Sequence, residues 1–315
     1  LHSHINGIQE TPSGQLVVVG LGFAWALGNH NLVARYNANG QLDTSFGDGG
    51  MVLTKVGQSS EARSVHIDVD GKLWVAGTAV MPNSNNVFTA IRLNSDGSLD
   101  TGFGSDGKVT VDLGISTEVL SSALTADGRL LIAGWQTSDD IGTFVMARVN
   151  ADGSVDSTFG DNGHVITTAL TGEGGITDVE VLSNGQILVA GTATGPTGST
   201  DYAVARYNSN GSVDTSFGDG GWVFFNPLGD EDSGAQLSLA TDGSIWLSGG
   251  SYDGNLDYHA VLARLTSDGQ LDTSFAQSGW QTTPLNGLTS DLQRAVMADS
   301  GHMTITQALN NPGGG

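Results

Sequence analysis

The 315-residue chain has no cysteine, only six prolines, and few charges of one sign. The missing cysteine excludes disulfides, thiol catalysis and zinc held by thiolates. No run of about 18 apolar residues exists, so no spanning helix is expected. Charged residues make up 14% of the chain, and they are lopsided: 11 Lys and Arg against 33 Asp and Glu, for a net charge of −22. Nucleic acid and anionic membrane both require a basic footprint and are poor partners for such a chain. Cations, neutral sugars and basic partners fit it. The opening Leu1-His2-Ser3-His4 carries neither an initiator Met nor a signal-peptide pattern, and the chain reads as an excerpt or processed form of something longer. The closing residues 311–315 read as a linker or tail.

Glycine is abundant, at 47 residues, about twice the usual share. It occupies regular turn positions inside a repeat. An Arg followed by Gly five residues on, Asp eight on and Phe eleven on occurs five times, beginning at Arg35, Arg92, Arg148, Arg206 and Arg264. The aromatic residues are Phe46, Phe103, Phe159, Phe217 and Phe275, a step of 56–58 residues. A constant period of this length marks a repeat architecture.

A second element alternates with the first: a turn pair, then a short apolar strand ending in Gly. Examples are Asp70-Gly71 with Leu73-Trp74-Val75-Ala76-Gly77, and Asn184-Gly185 with Ile187-Leu188-Val189-Ala190-Gly191. Such pairs between apolar runs predict hairpins through type I′ turns. Each unit therefore has strand a, a tight turn and strand b. Strand c follows over 32–37, 89–94, 145–150, 203–208 and 261–266. Strand d lies at 51–54, 108–111, 164–167, 222–225 and 280–283. No segment shows a helical period. Four short antiparallel strands per unit predict an all-β propeller of about 57 residues per blade. A β-solenoid is the rival, but its coils are shorter and lack tight hairpins. Blades are expected near 1–58, 59–116, 117–172, 173–230 and 231–288. A sixth hairpin at 289–310 implies six blades about a central channel, the last incomplete.

The string Arg206-Tyr207-Asn208 through Gly211, Asp214 and Ser216-Phe217-Gly218, together with the Asp-Gly hairpin, resembles the delta-60 repeat family. The resemblance covers residues 1–310. It implies tandem-repeat propellers of large bacterial surface or secreted proteins, and it carries no established reaction and no catalytic residues. Thr266, Ala276 and Gly102 depart mildly from the pattern.

Several groups of residues are candidates for function or scaffold. The pairs Arg35/Asp43, Arg92/Asp100, Arg148/Asp156, Arg206/Asp214 and Arg264/Asp272 suit bidentate contacts across a turn. Repetition in every unit makes them scaffold. The same repetition makes each of Phe46, Phe103, Phe159, Phe217 and Phe275 a core plug for its own blade. The run Asn150 to Asp156 has oxygen ligands at alternate positions, as in a calcium loop, yet equally suits self-capping turns. Glu61, Glu118, Asp232 and Asp291 sit ahead of their hairpins. They would ring one mouth of the channel, either around Ca2+ or as a solvated acidic rim. The b–c loops break the repeat and carry Trp25, His30, Trp135, Asp139, Tyr252, Asp253, Asp257 and Tyr258. Aromatic faces beside carboxylates suit a sugar. These observations favour a glycan-binding or adhesion module recognising a cell-surface ligand outside a bacterium, within a larger polypeptide or assembly. A polysaccharide hydrolase or lyase and a purely structural propeller are the alternatives.

Overall fold

The computed structural model describes residues 3–24, 28–136, 143–167, 174–195, 198–255, 257–285, 292–297 and 303–307. Every regular element among them is a strand. The first sheet is β1 (His4–Glu10), β2 (Leu16–Ala24), β3 (Gly28–Tyr36) and β4 (Met51–Thr54). The second is β5 (Ser59–Ile67), β6 (Leu73–Val80), β7 (Asn86–Leu93) and β8 (Lys108–Val111). The third is β9 (Thr117–Leu124), β10 (Leu130–Gln136), β11 (Phe144–Val149) and β12 (His164–Thr167). The fourth is β13 (Gly174–Val181), β14 (Ile187–Thr194), β15 (Thr200–Tyr207) and β16 (Trp222–Phe225). The fifth is β17 (Asp232–Leu239), β18 (Ile245–Tyr252), β19 (Tyr258–Leu265) and β20 (Trp280–Pro284). In each sheet the strands lie side by side in chain order. The sixth hairpin, β21 (Leu292–Met297) with β22 (Met303–Gln307), is a two-stranded sheet. The structure thus shows five blades, not six.

The chain packs as two compact units. One is Leu1–Asp139 with Phe144–Ile166; the other is Asp140–Thr143 with Thr167–Gly315. In the first, Val17, Val19 and Val33 of sheet one meet Val65, Leu73 and Val75 of sheet two, while Trp74, Ala76 and Phe88 meet Val119, Leu130 and Ile132 of sheet three. In the second, Leu188, Tyr202 and Val204 meet Leu237, Leu247 and Val261. Strands b and c are apolar on both faces because each sheet packs against a neighbour.

Two expectations about local geometry are corrected. The a–b turns are type I turns closed by a glycine bulge, not two-residue type I′ turns. Gly14 donates its amide to Thr11 O and Thr11 to Gln15 O, and Gly14 alone takes positive φ, at 78°. The polar residue before the glycine keeps ordinary φ, and its side chain caps the turn, as Asp242 does by accepting the Ser244 amide at 2.9 Å. The b–c connections are also shorter than the sequence suggests. Strands β2 and β3 pair as far as Ala24 with Gly28, so much of the expected loop is strand.

The recurring Arg and Asp form the joint on which each repeat closes. Arg206 Nε donates to Asp214 Oδ2 at 2.7 Å, and Gln186 Nε2 donates to the same oxygen at 2.7 Å. Ser216 fills Oδ1 with its amide at 3.1 Å and its hydroxyl at 2.6 Å. Gln15, Lys72 and Arg129 play the part of Gln186 toward Asp43, Asp100 and Asp156. The guanidinium lies over the ring of Phe46, Phe103, Phe159 or Phe217 at 4.5–4.7 Å in the first four sheets. In the fifth, Arg264 lies over Trp246 at 5.5 Å.

The far end of the guanidinium crosses to the next repeat. Arg35 donates to Ser95 O at 2.5 Å, Arg206 to Ser267 O at 2.6 Å, and Arg92 to Ala151 O. The Gly after the Phe makes a parallel contact: Gly47 to Asp96 O, Gly104 to Asp152 O and Gly218 to Asp268 O, each at 2.8 Å. At Gly97, positive φ and a Cβ that would come within 2.7 Å of Gly47 N both require glycine.

Three of the repeat Phe rings pack against the next repeat as well as against their own sheet. Phe46 shares its cluster with Val17, Val19 and Val33 of its own sheet and with Val56, Ala62 and Val65 at the start of the following repeat. Phe103 meets Trp74 of its own sheet edge-on at 5.1 Å but shares its cluster with Val119, Leu130 and Ile132 of sheet three. Phe217 lies with Leu188, Tyr202 and Val204 of its own sheet and with Ala235 and Leu237 of sheet five. These three rings are therefore seam residues, because the Phe sits past strand c, where the chain turns toward its neighbour. Phe159 is fully buried beneath Arg148, which is 4.5 Å from the ring centre. Phe275 stays with its own blade, edge-on to Trp246 at 5.0 Å, yet it is only half-buried and is not a core plug.

The Ser216 hydroxyl, opposed by burial and joined by the Ser216 amide and Arg206, pulls the Asp214 carboxyl down to about 2. At Asp156 burial is the largest influence and opposes ionisation. The Thr158 hydroxyl and amide with Arg129 and Arg148 outweigh it and hold the carboxyl well below the carboxylate range. A depressed folded pKa stabilises above the unfolded value of about 3.9 and is lost as pH falls through the folded one. Asp214→Asn should therefore lower the Tm at pH 7, with the deficit closing between about pH 4 and pH 2; a deficit independent of pH in thermal scans would contradict this assignment. Arg206→Ala strips a buried carboxylate of its cation and breaks the seam, and should cost about 3 kcal/mol in denaturant unfolding.

Candidate functional site

The first strands of the first four sheets carry an irregularity at the same place. The pairing skips Asn6 in β1, Arg63 in β5, Leu120 in β9 and Thr177 in β13, at the repeat period. A bulge re-aims its side chain, and here the bulged polar residue reaches the next first strand. Asn6 Nδ2 donates to Glu61 Oε1 at 2.7 Å and to Ala62 O at 2.8 Å. Thr177 Oγ1 donates to Ala235 O at 2.5 Å.

In the first unit these contacts assemble a polar row. Arg63 joins Glu118 at 2.6 Å and Glu61 at 3.5 Å, and His4 meets Glu61 at 2.9 Å. Glu61 and Glu118 therefore meet a guanidinium. Further along the same strands, the Ser64 and Ser122 hydroxyls are 2.5 Å apart, and His66 Nε2 lies 2.9 Å from Ser122 Oγ. Burial pushes the His66 imidazole down to about 4, against the opposing pull of Ser122, so the ring is neutral at pH 7. Ser122 is itself buried, and this pair joins sheets two and three.

In the second unit the end of the fifth sheet that bears the b–c connection gathers a different set. The Tyr252 and Tyr258 rings lie 4.9 Å apart, tilted by 56°. Asp253 Oδ1 accepts the Asn255 and Asp257 amides, closing the turn, and Asp253 Oδ2 lies 3.4 Å from His259 Nε2. Tyr258 is only 3% exposed, with its hydroxyl 3.2 Å from Ser233 Oγ, while Tyr252 keeps part of its ring in solvent and Asp257 is exposed. Asp232 is 4% exposed and accepts the Tyr202 amide at 3.2 Å. Burial pushes its carboxyl up to about 7; the Ser251 hydroxyl and the Tyr202 amide oppose this, and the charge of Asp201 adds to it. Asp201 accepts from Ser199 at 2.7 Å and Asn226 at 2.8 Å.

The residues singled out in the sequence have the following surroundings. Glu61 and Glu118 meet through Arg63. Asp232 lies beside Tyr202 and Ser251. Trp25, Asp139 and Asp291 lie outside the described residues. His30 is buried within β3, its Nδ1 at 2.9 Å from Gly28 O, and Trp135 is a strand residue of β10 directly opposite Glu118. Tyr258 faces the interior. The Asn150–Asp156 run is a turn: Asp152 accepts the Ser154 amide and hydroxyl, and Asp156 belongs to the Arg148 joint. Among the described residues no three His, Asp or Glu side chains come together as metal ligands. Asn6, Arg63 and Thr177 escaped the sequence reading; Asn6 and Arg63 stand one repeat of 57 residues apart, but the next equivalent position is Leu120, so the polar signal is broken. Asp201, Ser251 and the role of His259 had no such signal, because cross-strand register brings them together.

Five consecutive four-stranded antiparallel sheets, each locked by the same Arg–Asp joint, define an all-β tandem-repeat protein of the propeller class. Residues 11–46, 70–103, 125–159, 182–217 and 240–275, more than half of the chain together, match the domain of unknown function (DUF5122) beta-propeller family, and the chain belongs to that family. This fits the tandem-repeat propeller implied by the delta-60 resemblance. Among solved structures the chain is similar to a protein of unknown function from Dyadobacter fermentans DSM 18053, with a TM-score of 0.55 at 10% identity over 99% of this chain and 92% of that one. It is similar to a glucose dehydrogenase, with a TM-score of 0.52 at 10% identity over 98% and 95% of the two chains. A polysaccharide lyase, Uly1, gives 0.48 at 11% identity over 99% and 82%. At these identities the likeness is one of fold. No curated protein matches the chain.

The Arg63 bridge yields a direct test. Arg63→Met leaves Glu61 and Glu118 without their shared cation and should lower the Tm, and Glu118→Gln in the same chain should restore part of the loss. A double-mutant cycle should give a coupling of about 1 kcal/mol for this half-buried pair; a coupling of zero would show the bridge to be idle.

Proposed function

We propose that this chain is a ligand-binding propeller module that takes a glycan at the b–c end of its fifth sheet. The observation that carries this reading is Tyr252: a partly exposed ring braced at 4.9 Å by the buried Tyr258, beside the exposed Asp257 carboxylate. A braced aromatic gives a sugar ring a rigid apolar face, and the carboxylate accepts from hydroxyls. The net charge of −22 suits neutral rather than anionic sugars.

Binding is favoured over hydrolysis by one feature. Asp201 and Asp232, close enough for the charge of one to act on the other, are both buried and engaged by neighbouring donors, whereas a glycosidase needs its two carboxyl groups open to the sugar. In this reading the module works at a bacterial surface or in secreted form. The β21–β22 hairpin then stands as the first two strands of a sixth blade, since it continues the repeat period.

Screening on a glycan array should identify neutral oligosaccharides retained by the wild-type chain. Tyr252→Ala with Asp257→Asn should weaken the best of them at least about tenfold, the loss expected of a buried stacking contact. Gln41→Ala, on an exposed turn of the first repeat, should leave binding unchanged. Equal binding by all three folded proteins would overturn the reading.

A further inference from the structure

The two tyrosines of the fifth sheet are fastened to a short segment, Glu231 to Ser233, at the start of that sheet. Glu231 O accepts the Tyr252 amide at 2.9 Å. The Ser233 hydroxyl lies 3.2 Å from the Tyr258 hydroxyl. Between these anchors stands Asp232, which ties the segment to sheet four: its Oδ2 accepts the Tyr202 amide at 3.2 Å. The Tyr202 hydroxyl donates to Gly250 O at 2.7 Å and lies 3.4 Å from Ser233 O, so Tyr202 closes over the same segment.

The carboxyl in the middle of this contact is badly placed to carry a charge. Asp232 is 4% exposed, and its Oδ1 has no hydrogen-bond partner among the described residues. Burial, and after it the charge of Asp201, hold the carboxyl up at about 7 against the Ser251 hydroxyl and the Tyr202 amide. The elements packed against β17 are β13, β14, β15, β18 and β21. β13 carries Glu180 and Asp178, the latter accepting the Leu237 amide at 2.8 Å further along β17. β14 carries no titratable side chain. β15 carries Asp201 and Tyr202, and toward its other end Tyr207 and Arg206, the latter paired with Asp214. β18 carries Tyr252, and β21 carries Arg294. Across the sheet on β19, His259 is turned to Asp253 at 3.4 Å and Arg264 is held by Asp272. Asp230 and Glu231 precede Asp232 in the chain and add only negative charge. A buried charge without a cation is relieved by neutralisation or by exposure to water.

The backbone supplies a route to exposure. The pairing of β17 with β18 is regular from Gln236 onward and is interrupted between Ser233 and Gln236. Gly234 lies inside the interruption with φ of 69°. Ala235, on its far side, is fixed: it is 0% exposed, and its carbonyl accepts the Thr177 hydroxyl. A glycine beside a fixed residue changes its backbone angles at little cost and makes a hinge.

We propose that Asp232 is a proton-operated latch on the sugar site. As a neutral acid it holds Glu231–Ser233 against sheet four and so braces Tyr252 and Tyr258. On losing its proton it swings toward water about Gly234, takes the anchors of both tyrosines with it, and loosens the hold on glycan. The latch is closed in mildly acidic medium and open in alkaline medium. Its purpose rests on the glycan reading; its operation does not.

The experiment compares the full chain with Asp232→Asn, which keeps the shape of the neutral acid and cannot ionise. A folded pKa above the unfolded value of about 3.9 makes the folded chain the better proton binder between the two, so stability falls as pH rises through that window. The Tm difference should therefore widen in favour of Asp232→Asn from about pH 4 to about pH 7 and stay level above. Glu180, also pushed up to about 7 by burial and then by Asp178, titrates in both proteins and cancels. Hydrogen exchange of peptides covering residues 230–236 and 250–254 reads the latch without sugar. The two proteins should exchange alike at pH 5.5, and wild type should exchange about tenfold faster at pH 8.5. Asp201→Asn removes the neighbouring charge and should move the midpoint of this change to lower pH, a shift that a merely structural Asp232 would not give. On a glycan array, wild-type signals for neutral oligosaccharides should drop between pH 5.5 and pH 8.5, and those of Asp232→Asn should not. Equal exchange at pH 8.5, or a Tm difference independent of pH, would overturn the latch. Array signals indifferent to pH in a chain whose exchange responds would overturn its coupling to the site. An array silent at both pH values would refute the glycan reading alone, since neither Tm nor exchange involves a sugar.

Discussion

One carboxylate per repeat carries the architecture. An aspartate accepts up to four hydrogen bonds, and in the first four sheets the repeat Asp receives an Arg Nε, a donor from beside the a–b turn, and either an amide with a hydroxyl or an amide alone. That saturation fixes the guanidinium plane. A fixed plane can lie over the Phe ring and still aim its remaining N–H groups at the next repeat. Removing the carboxylate would free a long side chain with rotamer entropy of about 2 kcal/mol, and the ring, the turn and the seam would lose their common reference.

Much of this was legible from spacing. Arg, Gly, Asp and Phe at fixed offsets gave the repeat, the hairpins and the short edge strands, and β4, β8, β12 and β16 fall where the sequence places them. The turn type was misjudged because Asn-Gly and Asp-Gly serve both type I′ turns and glycine bulges; the choice depends on whether the polar residue caps its own backbone, as Asp242 does. Phe46, Phe103 and Phe217 reach the next repeat as well as their own sheet, since a period says which residues recur and not which neighbour they touch. Phe275 shows the same blindness from the other side: it repeats the pattern yet stays half-buried. Lys72, Arg129 and Gln186 look like ordinary turn residues in the sequence, yet they complete the carboxylate's shell from 27 or 28 residues away.

The ends of the sheets are where pattern gave least. Trp135, His30 and Tyr258 look like loop residues because they follow or precede irregular stretches, but strands β3, β10 and β19 continue through them. Burial then turns His30 and Tyr258 inward and leaves Tyr252 and Asp257 as the surface. The polar groupings at these ends arise from register across strands and from bulges at Asn6, Arg63 and Thr177, and both depend on pairing that one strand alone does not encode.

The bond from the guanidinium to its neighbour ends on a main-chain carbonyl: Ser95, Ala151 and Ser267 serve equally well. Recognition between consecutive repeats is therefore indifferent to the side chain at the receiving position. Such a joint demands no matched pair of mutations when a repeat is duplicated, deleted or exchanged for another copy. Chains of this kind can change their number of units by recombination without first reinventing the seam, which is how a lineage could vary the size of the scaffold while leaving its loops free to diverge.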